Sequence, residues 1–357
     1  MPVDIREVAR RTGVSVATVS RALNGRPDVS AATRTRVTEM ARTLGYLPNS
    51  QARALVRRRS DTVGLIWDTG YVSANGRVPF LQDLLIGLKM ALADTGYHLM
   101  LLSPKTADRD LEAFVRATAQ HTLDGVVLMG VDQHLPAVTA LIDSGPPCVG
   151  LDLPVRGPRA SYVSSDNQSA AATAVRHLQS LGHRKIATIT GPPDQLPSIE
   201  RLAGFRAGMA EFDLPVPAEY VVHGDFFHES GHSRMQDLLA LPDRPTAVFV
   251  AGDLMAIGAM RAIAEAGLHV PQDISVLGFD DVESAALVRP GLSTMAQDYL
   301  AMGQAAVSLL TQMMGTSPVG SATIDRSEAV GIGRRPAPRL LPCSLVVRES
   351  TGVVPQR

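Results

Sequence analysis

The chain has 357 residues, of which 45% are hydrophobic, and a formal net charge of −1. That length accommodates two or three domains and a large core. No apolar run reaches the roughly 18 residues of a membrane span, and two cysteines, Cys148 and Cys343, are too few for a disulfide framework.

Both cysteines follow prolines in apolar surroundings and read as buried thiols rather than reactive ones. Met1 leads straight into a charged amphipathic segment with no secretory leader, so the chain reads as cytoplasmic. The small net charge hides an asymmetry. Residues 1–60 carry twelve arginines and no lysine against Asp4, Glu7, Asp28 and Glu39, a net of +8, which leaves −9 for the remainder. A basic head on an acidic body is the electrostatic footprint of a nucleic-acid binder joined to something else.

Ile5, Val8 and Ala9 form an apolar stripe on a first short helix. Gly13 supplies the φ > 0 that a turn between two crossing helices needs. Ser15 caps the next helix, which Val19, Ala22 and Leu23 bury. Val3 to Asn24 therefore reads as a helix-turn-helix. Its second helix presents Val16, Ala17, Thr18, Ser20 and Arg21. A helix fits the major groove, where arginine bonds guanine in bidentate fashion and small apolar groups meet a thymine methyl. An ordinary αα-hairpin is the plainer reading. Gly25–Asp28 form a turn, and Ser30 caps a third helix, Ala31–Leu44, with Val37, Met40, Ala41 and Leu44 inward. From that helix Arg34 or Arg36 reaches phosphate, a contact that positions but reads no sequence. After an extended connector, Asn49 or Ser50 caps a short helix, Gln51–Val56, followed by the basic linker Arg57–Ser60. Alone, that helix is too short to be stable in water.

From Thr62 onward strands and helices alternate. Strands are expected at 63–67, 97–102, 125–129 and 148–151, with helices at 80–95, 108–120 and 135–144. The pattern restarts after about Val163. Helices are then expected at 168–181, 199–211, 228–240 and 253–266, and strands at 185–190, 220–223, 247–251 and 275–279. This spacing implies parallel sheets with helices on both faces, in two lobes with a cleft between them. Ligands of such sheets bind at the carboxyl ends of strands. Enzymatic chemistry finds little support. His177 and His183 are poorly spaced for a shared metal, no phosphate-binding Gly-rich loop or serine elbow is present, and His223, Asp225 and His228 lack a nucleophile. No catalytic residue, metal or cofactor is expected.

The segments VDIREVARRTGVSVATVSRALNG and YLPNSQARAL closely resemble the lactose-repressor/galactose-repressor (LacI/GalR) family of bacterial transcription regulators. VSSDNQSAA, HLQSLGHRKIATITGP, ERLAGFRAGM, VFVAGDLMAIGAMRAI, ISVLGFDDVESAA and LVVRESTG extend the resemblance over nearly the whole chain. The resemblance implies an N-terminal all-α helix-turn-helix head (1–48) and a hinge helix with linker (49–60). It then implies an α/β body of two doubly wound parallel-sheet lobes like the type I periplasmic binding proteins. The N-terminal lobe would be 61–161 plus 292–323 and the C-terminal lobe 162–291 plus 324–357. The chain would cross between lobes near Tyr162, near Gly291–Ser293 and near Thr323–Ile324. It further implies a dimeric repressor on a palindromic double-stranded operator, released when a mono- or oligosaccharide enters the cleft. A purine or nucleoside corepressor is the alternative within the family. A transported sugar-binding protein or a sugar-processing enzyme is the alternative outside it. No leucine heptad follows LVVREST, so a dimer is expected rather than a tetramer.

By the same resemblance, the DNA-contacting set comprises Ser15, Val16, Ala17, Thr18, Ser20, Arg21 and Asn24, with Arg34 from the third helix and Asn49, Ala52, Arg53 and Leu55 from the hinge. Val16-Ala17 resembles the galactose-repressor branch, and Leu55 takes the place of a leucine that wedges into the minor groove. Effector contacts fall on Asp280, Arg201 and Asp152, with Phe226 and Phe80 as aromatic faces and Trp67 and Asp68 at the end of the first strand. Carboxylates and a guanidinium suit paired hydroxyls, and an aromatic ring suits a sugar's C–H face. One departure stands out. Gly252-Asp253 replaces the family's common Asn-Asp, so that either the asparagine's contact is missing or Asp253 or water substitutes for it.

Overall fold

The computed structural model describes residues 3–46, 59–67, 80–102, 112–132, 134–315 and 336–355. The hinge segment and Asp68 lie outside them. The chain divides into two compact units, 1–61 and 62–357.

In the first unit, Asp4 caps α1 (Ile5–Thr12) by accepting from the Glu7 amide at 2.9 Å. Gly13 ends the helix at φ 69°, a left-handed conformation that a side chain would strain. Ser15 caps α2 (Val16–Leu23) through the Thr18 amide at 3.1 Å, and Ser30 caps α3 (Ala31–Thr43) through the Thr33 amide at 3.3 Å. Val8, Ala9, Val19, Ala22, Val29, Val37 and Ala41 form the core, against which Met40 and Leu44 are half-buried.

In the second unit, β1 (Thr62–Trp67), α4 (Leu81–Thr95), β2 (His98–Leu102), α5 (Ala113–Gln120), β3 (Gly125–Met129), α6 (Pro136–Ser144), β4 (Cys148–Leu151) and β5 (Ala160–Ser165) build the first lobe. α7 (Asn167–Ser180), β6 (Ile186–Thr190), α8 (Leu196–Ala210), β7 (Val221–His223), α9 (His228–Leu239), β8 (Ala247–Val250), α10 (Asp253–Glu265), β9 (Ser275–Asp280), α11 (Glu283–Leu287) and β10 (Ser293–Ala296) build the second. α12 (Tyr299–Met314) and β11 (Arg339–Leu341) return to the first lobe, and β12 (Ser344–Val346) ends in the second. The first sheet runs β11-β5-β4-β3-β1-β2 and the second β12-β10-β9-β8-β6-β7. Among the described strands every pairing is parallel except β10 with β12. Central strands such as GVVLM and AVFV are apolar throughout because helices cover both faces.

The lobe crossings fall later than expected. β5 belongs to the first sheet, so the chain crosses at Asp166, not Tyr162; Asp166 caps α7 through the Ser169 amide at 3.2 Å. β10 belongs to the second sheet, which moves the next crossing from Gly291–Ser293 to Gln297–Asp298. β11 and β12 lie in different sheets, so the last described crossing is at Pro342–Cys343, while Thr323–Ile324 lie outside the described residues. The strands ASYVSS and STMA carry hydroxyls rather than an apolar run, yet they are buried almost throughout, and that is why their sheet membership was hidden.

Cys148 is buried, and burial pushes its thiol up to about 12; Cys343 is half-buried and pushed up to about 11. Among the described residues no helix is long and apolar enough to cross a membrane.

Candidate functional site

In the second unit a cavity of about 250 Å³ opens between the two lobes at the carboxyl ends of the strands. Trp67, Phe80, Met129 and Asp152 line it from the first lobe, and Arg201, Phe226, Phe227 and Asp280 from the second. Of the eight residues expected to contact effector, Trp67, Phe80, Asp152, Arg201, Phe226 and Asp280 thus meet in one place, and Asp68 lies outside the described residues. Seven described non-glycine residues have positive φ, and three of them line this cavity: Asp152 at 51°, Phe226 at 71° and Asp280 at 121°. Backbone strain of this kind persists where surrounding structure over-determines it, and it clusters at ligand sites.

Arg201 is only 4% exposed. Its Nε donates to Asn167 Oδ1 at 2.8 Å and its Nη1 to the Ala251 carbonyl at 2.7 Å. The guanidinium lies 3.7 Å from the centroid of Phe279 and reaches Asp280 Oδ1 at 3.8 Å. Asp280 Oδ1 also accepts from Gln297 Nε2 at 2.6 Å and from the Tyr299 hydroxyl at 3.0 Å. Burial pushes the Asp280 carboxyl above the usual range, while the Arg201 charge and these two bonds pull it back. Asp152 accepts from Ser164 Oγ at 2.7 Å, and burial raises its carboxyl too. Asn167 donates to Glu200 Oε2 at 2.9 Å, so Arg201 is held from behind by a bonded amide.

The aromatic faces oppose one another across the lobes. Phe80 stacks on Tyr299 with centroids 4.4 Å apart and planes 8° from parallel. Phe226 lies over Gly191, where a Cβ would collide with its ring, and beside Gly252, where a Cβ would stand 3.3 Å from the ring and 3.6 Å from Asp280 Oδ2. Gly252 thus leaves a slot where a side chain would stand.

Asp253 does not line the cavity. It is fully buried at the first turn of α10, where Oδ1 accepts from Thr294 Oγ1 at 2.6 Å and Oδ2 from the Val282 amide at 3.0 Å. The helix turns the residue after Gly252 inward, so its carboxylate closes the sheet instead of facing ligand. Gln297 and Tyr299 were not expected in the site. They follow β10 by only a few residues, and only the late crossing at Gln297–Asp298 puts them there.

Burial raises the Asp253 carboxyl well above the usual carboxylate range, with the Asp280 charge second. A carboxyl with a raised folded-state pKa stabilises the fold while protonated. That stability is fully present below the unfolded value and is lost as pH rises through the folded one. Asp253→Asn is therefore expected to flatten the fall in stability that sets in as pH rises above about 4, the unfolded carboxylate range. Asp253→Ala is expected to cost about 2–4 kcal/mol, because two buried donors lose their acceptor. Urea melts across pH check both, and an unchanged pH profile in Asp253→Asn would remove Asp253 from this role.

In the first unit, Val16, Ala17 and Arg21 lie exposed on one face of α2, with Ser20 half-buried. Ser15 Oγ is taken up by the cap and by the Thr18 hydroxyl at 2.9 Å. Arg21 Nη1 pairs with Asp28 Oδ2 at 3.2 Å. Asn24 Nδ2 donates to the Ser20 carbonyl at 2.8 Å. Arg34 Nη2 donates to the Arg26 carbonyl at 2.8 Å, so it braces the turn before α3 in this structure. Arg10 and Arg11 flank Glu7 and hold its carboxyl down at about 2. Asn49, Ala52, Arg53 and Leu55 lie outside the described residues.

Residues 4–49 match the family described as bacterial regulatory proteins, lacI family, and residues 175–351 match the periplasmic binding protein-like domain. The chain is 34% identical to the HTH-type transcriptional regulator CelR of Thermobifida fusca, over 96% of each chain. Among solved structures it is similar to a CelR–cellobiose complex, at 32% identity over 98% of this chain and 99% of that one, with a TM-score of 0.69. It is also similar to the Lac repressor dimer bound to operator and the anti-inducer ONPF, at 29% identity over 99% of this chain and 100% of that one, with a TM-score of 0.79.

Proposed function

Because the chain belongs to the lacI family of bacterial regulatory proteins and is a DNA-binding transcription regulator rather than an enzyme, we propose that it is a dimeric, cytoplasmic repressor released from a palindromic operator by a saccharide in the inter-lobe cleft. Cellobiose, the ligand of the similar CelR complex, is the first candidate.

The observation that carries this reading is the cavity itself. A buried Arg201–Asp280 pair and Asp152 converge on one space bounded by Phe80, Trp67 and Phe226. Hydroxyl pairs suit the first set and a sugar's C–H face suits the second. Two α2 helices on a two-fold axis require a two-fold site in the DNA. Ligand shifts the population between lobe arrangements only as far as it binds one better than the other.

The test is titration of full-length protein onto a palindromic duplex with a central CG step and onto a scrambled control, with and without a panel of mono- and oligosaccharides. Preference for the palindrome, steep weakening with added salt as counterions are released, and release by one saccharide are expected. Release by a nucleoside and by no sugar would replace the effector class. No preference for the palindrome would remove the operator assignment.

A further inference from the structure

Asp280 closes the second lobe's side of the cavity, and one of its oxygens is already committed. Oδ1 takes the Tyr299 hydroxyl, Gln297 Nε2 and the longer Arg201 contact, while Oδ2 faces the slot at Gly252. Tyr299 belongs to the other lobe. It opens α12 and is buried in the core of the first sheet, where its ring stacks on Phe80. Phe80 in turn is the N-cap residue of α4. Gln297 completes the link. Its Nε2 lies 2.6 Å from the Tyr299 hydroxyl, and its Oε1 accepts from Ser165 Oγ, at the end of β5, at 2.6 Å.

We propose that Tyr299 is a positioning residue whose hydroxyl ties Asp280 of the second lobe to Phe80 and the start of α4 in the first, so that a ligand engaging Asp280 is reported to the first lobe. This deepens the saccharide-release reading and rests on it for the identity of the ligand. The mechanical part stands on the hydrogen bonds alone. A phenol that both accepts from Gln297 and donates to a carboxylate has little freedom to rotate, and its ring is clamped by a parallel neighbour. Movement of Asp280 therefore moves the ring, and the ring moves Phe80. Two sites are coupled when one element has arrangements that both sites bias, and here that element is the Tyr299–Phe80 stack.

Trp67 is the chain's single tryptophan, and it packs against the same core as Phe80 and Tyr299. Its emission reports the first lobe without any ligand. The experiment compares full-length wild type, Asp280→Ala, Tyr299→Phe and the double variant. Tyr299→Phe keeps the ring and removes only the hydroxyl. Asp280→Ala is expected to shift Trp67 emission in the wild-type background and to shift it by less than about a third as much in the Tyr299→Phe background. Equal shifts in both backgrounds, or no shift in the first, would overturn the proposal.

A second arm titrates cellobiose. In Tyr299→Phe the concentration for half-release from the palindromic duplex, divided by the variant's own Kd for cellobiose, is expected to rise about tenfold or more. An unchanged ratio counts against the coupling, because a merely structural role would move affinity and release together. If wild type binds no cellobiose, the saccharide choice fails, and the ligand-free comparison alone decides whether Tyr299 couples the lobes.

Discussion

Replacing Arg201 with methionine is expected to abolish the ligand response and to lower the stability of the second unit by about 3–5 kcal/mol, the usual cost of removing one partner from a buried charge pair. Methionine replaces the apolar stem but not the guanidinium, so the charge over the Phe279 ring is lost together with its hydrogen bonds. Three groups lose a partner at once: Asn167 Oδ1, the Ala251 carbonyl and the Asp280 carboxylate, which keeps only Gln297 and Tyr299. Asp280 suffers most. Arg201 is the charge that pulls its carboxyl down against burial, so without it the buried Asp280 is driven further toward the neutral form. A neutral Asp280 presents a weaker acceptor to a ligand hydroxyl and to Tyr299. Arg201→Lys is expected to recover part of the stability but not the response. One ammonium cannot span Asn167 and Ala251 from opposite ends of a planar fork. Urea unfolding of the ligand-free protein measures the first effect, and saccharide-dependent release from the duplex measures the second. A normal response in Arg201→Met would mean that ligand does not use the Arg201–Asp280 pair.

The parts of this site that could be read in advance are those that follow a strand end. Asp152 and Phe226 sit just past β4 and β7, Asp280 ends β9, and Arg201 lies on α8, the helix that follows β6, close to where α/β sheets hold ligands, and apolar runs mark those strands. Caps were equally legible in the first unit, because a serine before an amphipathic run has one local meaning. Asp4 stands in the same relation to Ile5 and caps α1 in the same way. What stayed hidden depends on crossing strands. ASYVSS and STMA bury hydroxyls that bond across the structure, and periodicity in hydrophobicity says nothing about them. Placing the second crossing five residues early removed Gln297 and Tyr299 from view, although Asp298 before an apolar period of 3.6 signals the helix that carries Tyr299. Asp253 shows the opposite error. Its place after Gly252 suggests a ligand contact, yet one step along a helix turns a side chain by about 100°, and that step faces Thr294 and Val282. The charge of Arg34 suggests a phosphate contact, and its Nη2 also lies within reach of the Arg26 carbonyl, a bond that a sequence cannot place.

Val19→Asp is expected to weaken binding to the palindromic duplex by on the order of a thousandfold, while Val16→Asp, one turn earlier on the same helix, weakens it without unfolding anything. The two positions differ in direction, not in residue type. Val19 is fully buried among Val8, Ala22 and Val37, whereas Val16 is 42% exposed. An unpaired carboxylate at Val19 loses its water and gains no partner, and a penalty of about 4 kcal/mol or more follows. A unit of about 60 residues has little stability from which to absorb that. The expected result is loss of the helical signal of the head in far-ultraviolet circular dichroism together with loss of DNA binding, and normal ligand affinity in the second unit. At Val16 the carboxylate stays in water, so the helical signal should survive. Its charge then faces the phosphates and any base edge, and affinity falls with a smaller dependence on salt as repulsion offsets one arginine contact. If both variants lost helix, α2 would be marginal at every position and its exposed face would carry no information about DNA. If Val19→Asp bound DNA normally, the inward assignment of Val19, and with it the crossing of α1 and α2 around Gly13, would be wrong.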